Sequence, residues 1–243
     1  MSTEYHCHIL PGIDDGAADP ETSLRMAEMM QQQGVTRLIA TPHFYAHRER
    51  SVARFLEKRA AAYGKIAGDL PFPEVLLGAE VAIEQGLSEL KDIEKLAITG
   101  TDLILLELPY REYHGWMFEE IYNISAEFGL TVILAHVHRY LVHYTSAQLE
   151  LMLKTKAIFQ INNEAFRMMS HGERHFAKRL MKEQYPIVFG SDAHNTDDRA
   201  PNWDLLQKRV SAEQIAASDA VLDGHRRPEP GLAGCESMPA DKL

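Results

Sequence analysis

Nine histidine, aspartate and glutamate residues end or follow short apolar runs, and their side chains are typical metal ligands. They are His6, His8, Asp15, His43, Glu80, Glu107, His136, Asp192 and His194. Imidazole nitrogens and carboxylate oxygens suit manganese, iron or zinc, and this number of donors suits two or three ions. All strands of a parallel barrel end at one shared mouth, so scattered positions can converge there. The pattern therefore predicts a metallohydrolase.

Single members of this set also have ordinary structural explanations. His6 and His8 lie two apart on a predicted strand and point to the same side, yet an isolated H-x-H is more often two satisfied or exposed histidines. Glu107 interrupts the apolar run ILLEL. A buried carboxylate is costly unless it is paired, protonated or bound to metal. Every instance falls at the same end of a βα unit, which makes chance placement improbable.

Two arginines supply the other half of a phosphate site. Arg139 lies three residues past one predicted ligand, and Arg199 lies seven past another. A guanidinium group matches phosphate oxygens in pairs, although each arginine alone is equally well explained by a surface ion pair. Arg48 and Arg50 are weaker candidates of the same kind.

An aromatic loop follows Glu107. Its members are Tyr110, Tyr113, His114 and Trp116. Aromatic side chains at this position can line a pocket for a ring-bearing substrate or can cap the barrel. The sequence favours neither interpretation.

The elements that must position these residues alternate between short β-type runs and longer helical patterns. Seven strands are predicted, at residues 4–9, 37–41, 75–79, 103–108, 131–135, 158–161 and 187–190. Helical patterns begin at the Asp19-Pro20 cap and at Ser51, and others cover 116–128, 147–154, 173–183 and 203 to about 222. This alternation is typical of repeated βα units, and it predicts an α/β barrel in a single domain over residues 1–223.

Bulk composition limits the classes of function. A net charge of -10 argues against a general binder of nucleic acid or of membrane surfaces, because both are anionic. No apolar stretch approaches the roughly 20 residues of a membrane span, and the first residues lack a secretory signal, so we expect a cytoplasmic protein. The tail from 224 to 243 holds three prolines and no periodicity, which predicts disorder.

Other catalytic classes lack their motifs. A cysteine phosphatase needs a C-x5-R loop, but the sixth residue after Cys7 is Ile13, and the sixth after Cys235 is Asp241. No G-x-S-x-G elbow, P-loop or dinucleotide fingerprint occurs. The two cysteines lie at opposite ends of the chain, so we expect no structural disulfide.

With these segments identified, the chain resembles the polymerase-and-histidinol-phosphatase (PHP) superfamily. Within it, the chain is similar to the bacterial manganese-dependent protein-tyrosine phosphatases of capsule and exopolysaccharide clusters. The matching segments are HCHILPGIDDGA, GVTRLIATPH, GAEV, LILLELP, VILAHVHRY, QIN and FGSDAHN, between residue 6 and about residue 199. The resemblance implies a distorted (β/α)7 barrel of the TIM-like type.

The resemblance also implies a site with three metal ions, most simply manganese. Its ligand sets are His6, His8, Glu80 and Asp192; Glu80, Glu107 and His136; and Asp15, His43 and His194. The second acid of the pair Asp14-Asp15 aligns with the family ligand, so Asp14 is expected to be a loop residue beside it. Arg139 and Arg199 match the family's phosphate-contacting arginines.

The chain departs from the family pattern at two positions. Glu4 stands where the family usually has the aspartate of D-x-H-x-H, and we expect it to accept a hydrogen bond from a ligand imidazole. His138 stands where the family usually has the glutamate of H-x-E-R. It replaces a negative charge beside Arg139 with a group that titrates near neutrality. We hypothesise that Arg139 is therefore freer, and that phosphate affinity falls as the pH rises through the His138 pKa.

Together, the residues and the resemblance predict a metal-dependent phosphoric monoester hydrolase. The expected substrate is phosphotyrosine on a bacterial tyrosine kinase in capsule or exopolysaccharide regulation, attacked by a metal-bound hydroxide. His138 or a metal-bound water would supply a proton. Two alternatives stay open: a small-molecule phosphatase of the histidinol-phosphatase type, and a catalytically silent, metal-stabilised scaffold that binds a kinase tail.

Overall fold

Parallel β-strands form the centre of the fold. The structure is a computed structural model that describes residues 2–49, 51–166 and 170–227. Its strands are β1 (Thr3–Cys7), β2 (Arg37–Ala40), β3 (His43–Phe44), β4 (Glu74–Leu77), β5 (Glu80–Ala82), β6 (Leu103–Glu107), β7 (Thr131–Leu134), β8 (Ile158–Asn162) and β9 (Ile187–Gly190). They form two sheets with the orders β1-β2-β4 and β3-β5-β6-β7-β8-β9. Each of these pairings is parallel, as repeated βα units require.

Two of the strands are short continuations of their predecessors. β3 continues the direction of β2 after Pro42, and β5 continues β4 after Gly78. Proline has no N–H to extend the ladder, and glycine often interrupts a strand, which accounts for the breaks at these points. The predicted strand limits are wrong here, because His43 and Glu80 begin new strands instead of following old ones. Counted with their continuations, the strands correspond to the seven that the sequence predicts.

Backbone hydrogen bonds also join the last strand to the first. Asp192 donates to the carbonyl of His6 over 2.7 Å, and His8 donates to the carbonyl of Ala193 over 2.9 Å. The strands therefore follow one another in chain order around a distorted barrel, and the predicted α/β barrel is confirmed. None of the helices in the described ranges is long and apolar enough to cross a bilayer.

Seven α-helices surround the strands in the described part of the chain. They are α1 (Pro20–Gln32), α2 (Val52–Gly64), α3 (Trp116–Phe128), α4 (Ser146–Leu153), α5 (His171–Lys182), α6 (Trp203–Gln207) and α7 (Ala212–Gly224). The predicted cap of α1 is confirmed, since Asp19 accepts a hydrogen bond from the Thr22 N–H over 2.8 Å. The single helix predicted over 203–222 is wrong. The side chains of Ser211 and Gln214 cap each other's backbone N–H groups, and this capping box starts a separate helix.

The core has two apolar layers, and the alternation of side chains along the strands assigns residues to them. Ile104 and Leu106 of β6 belong to a large cluster that includes Met26 of α1, so this layer lies between strands and helices. Leu103 and Leu105 belong to a smaller cluster, which therefore faces the barrel interior. Glu107, the next residue of β6 with the same parity as Leu103 and Leu105, lines the cavity at the carboxyl ends of the strands.

Residues 224–227 pack against the amino ends of the strands. The His225 imidazole lies 2.9 Å from a carboxylate oxygen of Asp102, and the Arg227 N–H donates to the Gly100 carbonyl over 2.9 Å. The first residues of the predicted tail therefore contact the fold. Residues 228–243, including Cys235, lie outside the described residues, and the predicted domain limit at residue 223 stays a prediction. Cys7 is buried and free.

Candidate active site

Glu80 lies at the centre of the barrel mouth, the opening formed by the carboxyl ends of the strands. Its Oε2 atom is 3.1 Å from His6 Nε2, 3.1 Å from His8 Nε2 and 3.1 Å from His43 Nδ1. Its Oε1 atom is 2.9 Å from His136 Nε2. Four histidines from three different parts of the chain thus converge on one buried carboxylate.

The predicted ligands form three overlapping groups whose donor atoms lie within 4.8 Å of one another. The groups are His8, Asp15, His43 and His194; His6, His8 and Glu80; and His43, Glu80 and Glu107. The first group is the predicted set of Asp15, His43 and His194 with His8 added. In the third group, His43 takes the place that the prediction gave to His136 beside Glu80 and Glu107.

The remaining two predicted ligands lie beside these groups. Asp192 Oδ1 is 3.6 Å from the Nε2 atoms of both His6 and His8. His136 Nε2 is 3.5 Å from Glu107 Oε1. The structure thus brings all nine residues together, while their role as ligands stays a prediction.

The donor atoms of the mouth fit a divalent metal ion. His194 Nε2 and His43 Nδ1 are buried and make no hydrogen bond with any described residue, although a Glu80 oxygen lies 3.1 Å from the latter. The Nε2 atoms of His6 and His8 are only 3.2 Å apart. Buried polar atoms are normally paired, so unpaired nitrogens beside carboxylates indicate a place for a cation.

The pKa values of two histidines reflect the same excess of negative charge. Burial by itself lowers the pKa of His8, but hydrogen bonds with Asp14 and Glu80 outweigh burial and raise that pKa to about 10. Burial likewise lowers the pKa of His136, and Glu107 and Glu80 raise it to about 9. An environment that stabilises a protonated imidazole also stabilises a bound metal cation.

The two aspartates after β1 have different surroundings. Asp14 Oδ2 lies 2.8 Å from His8 Nδ1 and accepts the backbone N–H of His43 over 2.9 Å. The Asp15 side chain is 64% exposed, and its Oδ1 is 3.5 Å from His43 Nε2 and 3.6 Å from His194 Nε2. Asp14 orients a candidate ligand from behind, while Asp15 faces the candidate ion position, which agrees with the expectation for the pair.

The two predicted arginines contact the same carboxylate from opposite oxygens. Arg139 Nη2 is 2.8 Å from Asp192 Oδ2 and 3.0 Å from Glu164 Oε1. Arg199 Nη2 is 3.1 Å from Asp192 Oδ1. Both arginines line the cavity at the mouth, so their guanidinium groups are placed to bind phosphate oxygens there.

The surroundings of His138 differ from those assumed in the hypothesis about its titration. Its side chain is buried, and burial, followed by the nearby charges of His136 and Arg139, holds the His138 pKa well below its usual range. Its Nδ1 atom has no hydrogen-bond partner among the described residues, and the residue does not line the mouth cavity. These surroundings disfavour the charged form of His138, and Arg139 is not free but paired with Glu164 and Asp192.

Glu4 also has different partners from those expected. Its Oε1 accepts the backbone N–H groups of His6 (3.0 Å) and Ser191 (2.8 Å), and its Oε2 accepts the Trp203 indole N–H over 2.6 Å. A Cβ atom at Gly190 would lie 2.9 Å from Glu4 Oε1, so the strands approach this closely only with glycine there. Glu4 binds backbone groups at the ends of β1 and β9 and accepts no imidazole hydrogen bond.

The mouth opens into a cavity of about 720 Å³, and two tyrosines line it. Tyr45, whose importance the sequence did not reveal, lies with its ring centroid 5.2 Å from that of His43. Tyr110 Oη is 3.0 Å from His136 Nδ1. Of the aromatic loop, Tyr110 thus belongs to the pocket, whereas Tyr113 packs on Phe118.

The weaker arginine candidates do not join the site. The Arg48 guanidinium lies over the Tyr45 ring at 4.6 Å from its centroid and does not line the cavity. Arg50 lies outside the described residues. His47, by contrast, lines the cavity with Glu84, whose Oε1 lies 2.8 Å from the His47 Nδ1.

Comparisons with known proteins identify the family and several relatives of this chain. A family described as "Capsular polysaccharide synthesis, CpsB/CapC" matches residues 2–221. The tyrosine-protein phosphatase YwqE of Bacillus subtilis is 28% identical over 204 residues, which cover 81% of this chain and 78% of the relative. The tyrosine-protein phosphatase CpsB of Streptococcus pneumoniae is 24% identical over 245 residues, covering 92% and 96%.

Solved structures give the same result. One from a study of YwqE of Bacillus subtilis and CpsB of Streptococcus pneumoniae, described as unique metal-dependent tyrosine phosphatases, aligns with a TM-score of 0.75 and 25% identity. The alignment covers 93% of this chain and 97% of the other. The lactonase Lmo2620 of Listeria monocytogenes, at 11% identity and a TM-score of 0.54, covers 90% and 88% and shares the fold alone.

Proposed function

The chain belongs to the capsular polysaccharide synthesis family CpsB/CapC, and from this premise we propose that it is a metal-dependent protein-tyrosine phosphatase. The observation that carries the proposal is the convergence of four histidines on Glu80, with two arginines on the adjacent Asp192. A cation site beside paired guanidinium groups matches the chemistry of a phosphate monoester. The names of the relatives YwqE and CpsB support phosphotyrosine as the substrate.

We assign the metal to the nine residues of the mouth. These are His6, His8, Asp15, His43, Glu80, Glu107, His136, Asp192 and His194. Manganese is the proposed metal, with two or three ions per chain, because carboxylate and imidazole donors without thiolate suit it. When bound, such ions lower the pKa of a bound water to about 7 and neutralise charge on a phosphoryl group.

The chain's own side chains bind and orient the substrate. Arg139 and Arg199 are proposed to bind phosphate oxygens, because each places a guanidinium group at the cavity wall and is held there by Asp192. Tyr45 and Tyr110 offer aromatic surface to the ring of the leaving group. A tyrosine phenolate has a pKa of about 10, so it leaves with less help from an acid than an alkoxide. His138 is not assigned a role as that acid, because it is buried away from the cavity lining.

We further propose that the phosphotyrosine is carried by a bacterial tyrosine kinase, on its C-terminal tail, and that dephosphorylation regulates capsule or exopolysaccharide synthesis in the cytoplasm. The family description supports the link to capsular polysaccharide. The catalytic domain is proposed to span residues 1–223.

A substrate panel with and without manganese tests the function. We expect hydrolysis of a phosphotyrosine peptide by the full chain with Mn²⁺, loss of hydrolysis after chelation, and recovery when Mn²⁺ is restored. A phosphoserine peptide of the same sequence is the matched control and should react far more slowly. Faster turnover of histidinol phosphate would favour the small-molecule phosphatase. No turnover of any substrate with any metal would favour the silent scaffold.

A further inference from the structure

Three polar residues form a row along β8 and just beyond it, where the surrounding strands are apolar. Gln160 and Asn162 lie on the face of β8 that carries Ile158, which packs in the smaller cluster inside the barrel. Both side chains are fully buried. Glu164 follows in a short 3-10 turn (Asn163–Phe166) that begins where β8 ends. Buried amides are costly unless hydrogen-bonded, so their partners explain their presence.

Gln160 contacts two candidate metal ligands with one oxygen atom. Its Oε1 accepts the backbone N–H of His136 over 2.6 Å. A backbone N–H can only donate, which fixes the side-chain oxygen rather than the nitrogen on this side. The same oxygen lies 3.2 Å from His6 Nδ1, so that nitrogen must carry a proton to form the bond. In neutral His6, the lone pair then belongs to Nε2, the atom that faces Glu80.

Asn162 connects Gln160 to Asp192 through hydrogen bonds. Gln160 Nε2 donates to Asn162 Oδ1 over 3.0 Å, which turns the Asn162 amino group outwards. That amino group lies 3.1 Å from Asp192 Oδ2 and 3.3 Å from Glu164 Oε1. The two oxygens of Asp192 therefore have different partners. Oδ2 contacts Asn162, while Oδ1 lies 3.6 Å from His6 Nε2, on the side of the proposed metal.

Glu164 ends the row at the phosphate side of the cavity. Its Oε1 lies 3.0 Å from Arg139 Nη2, the same guanidinium nitrogen that contacts Asp192 Oδ2. Since the neighbouring His138 carries no negative charge, Glu164 and Asp192 are the carboxylates that fix Arg139. A guanidinium held by two acceptors keeps one direction toward a phosphate.

Two of the candidate ligands that these residues contact have a strained backbone. His136 has φ of 30° and Asp192 has φ of 53°, in the left-handed region that residues other than glycine rarely adopt. Such conformations are costly for residues other than glycine and persist only where the surroundings enforce them. Gln160 bonds the backbone of His136, and Asn162 bonds the side chain of Asp192.

We infer that Gln160, Asn162 and Glu164 are positioning residues that set the orientation of His6, His136 and Asp192 toward metal and of Arg139 toward phosphate. The inference rests on the proposed metal centre. It differs from a purely structural role, because a structural row would affect only the stability of the fold.

Calorimetric titration of the metal-free full chain with Mn²⁺ tests the inference. Gln160→Met keeps length and burial but removes both hydrogen-bonding ends, and we expect it to bind Mn²⁺ about 10–100-fold more weakly than the wild type. Gln160→Glu keeps the acceptor for His6 and His136 and should retain most of the affinity. Thermal unfolding of each metal-free variant separates weaker binding from lower stability.

Asn163→Leu is the matched control. Asn163 is equally buried and adjacent in sequence, but its side chain has no hydrogen-bond partner among the described residues. Its replacement should leave Mn²⁺ affinity and turnover unchanged. Should Gln160→Met fail to fold, Asn162→Leu tests the same row, with weakened Mn²⁺ binding expected.

The outcomes separate this inference from the proposed function. A wild type that binds no Mn²⁺ contradicts the metal centre itself. A wild type that binds Mn²⁺, together with Gln160→Met or Asn162→Leu variants that bind it equally well, overturns the inference while leaving the metal centre intact.

Discussion

The two ends of the barrel bury charge in opposite ways. At the amino ends of the strands, Arg37 directs Nη1 to Asp223 (2.6 Å), Nε to the Thr3 hydroxyl (2.9 Å) and Nη2 to the Asp219 carbonyl (2.9 Å). We call this group the floor of the barrel. At the mouth, histidine nitrogens and carboxylates crowd around Glu80, and some buried nitrogens have no partner among the described residues.

This contrast indicates that the charged groups at the amino ends stabilise the fold, whereas those at the mouth bind a ligand. A buried charge is tolerated when its partners lie within the protein, as they do for Arg37. A cluster in which some buried polar atoms have no hydrogen-bond partner is costly unless a ligand binds to those atoms. Such unpaired atoms are expected at functional sites. The floor is complete as it stands, whereas the mouth needs a cation.

Substitution of Glu80 should give the largest effect, since it removes the centre of the mouth. We expect Glu80→Gln to lose bound Mn²⁺ and to lower kcat/KM about a thousandfold or more, the value of several kcal/mol of lost metal assistance. The metal-free variant should be less stable than the metal-free wild type, because the buried imidazoles of His8 and His136 lose a carboxylate that stabilises their protonated forms. Metal analysis, phosphotyrosine-peptide kinetics and thermal unfolding provide the measurements. Normal Mn²⁺ content in this variant would be incompatible with the assigned site.

Substitution of Arg139 should give an intermediate effect and separate phosphate binding from metal binding. We expect Arg139→Met to lower kcat/KM roughly 10–100-fold, because each hydrogen bond to a charged group contributes about 1.5–3 kcal/mol. Mn²⁺ content should stay at the wild-type level. Steady-state kinetics with metal analysis of the same sample test this. An unchanged kcat/KM would exclude Arg139 from phosphate binding.

Substitution of Arg37 should have the smallest effect on turnover and a clear effect on stability. Arg37→Met removes charged hydrogen bonds at the floor, and we expect the free energy of unfolding to fall by about 2 kcal/mol. The kcat/KM should not change, because the floor lies at the opposite end of the strands from the cavity. Urea unfolding measures the change in stability, and peptide kinetics of the folded variant measure kcat/KM. A loss of turnover without a loss of stability would break the contrast between the two ends.

The strands and the convergence of the nine candidate ligands could be predicted from the sequence, because both depend on local patterns. Apolar runs such as those before His136 and Asp192 show where buried strands end, and the side chains that follow them must meet at one mouth. The breaks that separate β3 from β2 and β5 from β4 were missed, although Pro42 and Gly78 mark them. The break before α7 was also missed, because the apolar pattern over 203–222 concealed the capping pair of Ser211 and Gln214.

Long-range pairing could not be predicted in the same way. The burial of His138 and the contact of Arg139 with Glu164 depend on how distant segments pack, and no periodicity reveals this. Gln160 and Asn162 did carry a signal, since two amides on one face of a buried strand require partners. Their importance became evident only when those partners were identified as His6, His136 and Asp192.

Crystals of the full chain grown with Mn²⁺ provide the most direct test of the central claim. Anomalous scattering at the manganese edge should show two or three peaks at the mouth, each contacted by members of the nine assigned residues, and none at the floor. The assigned metal centre would be contradicted if no anomalous peak lay at the mouth, or if peaks lay only elsewhere on the molecule.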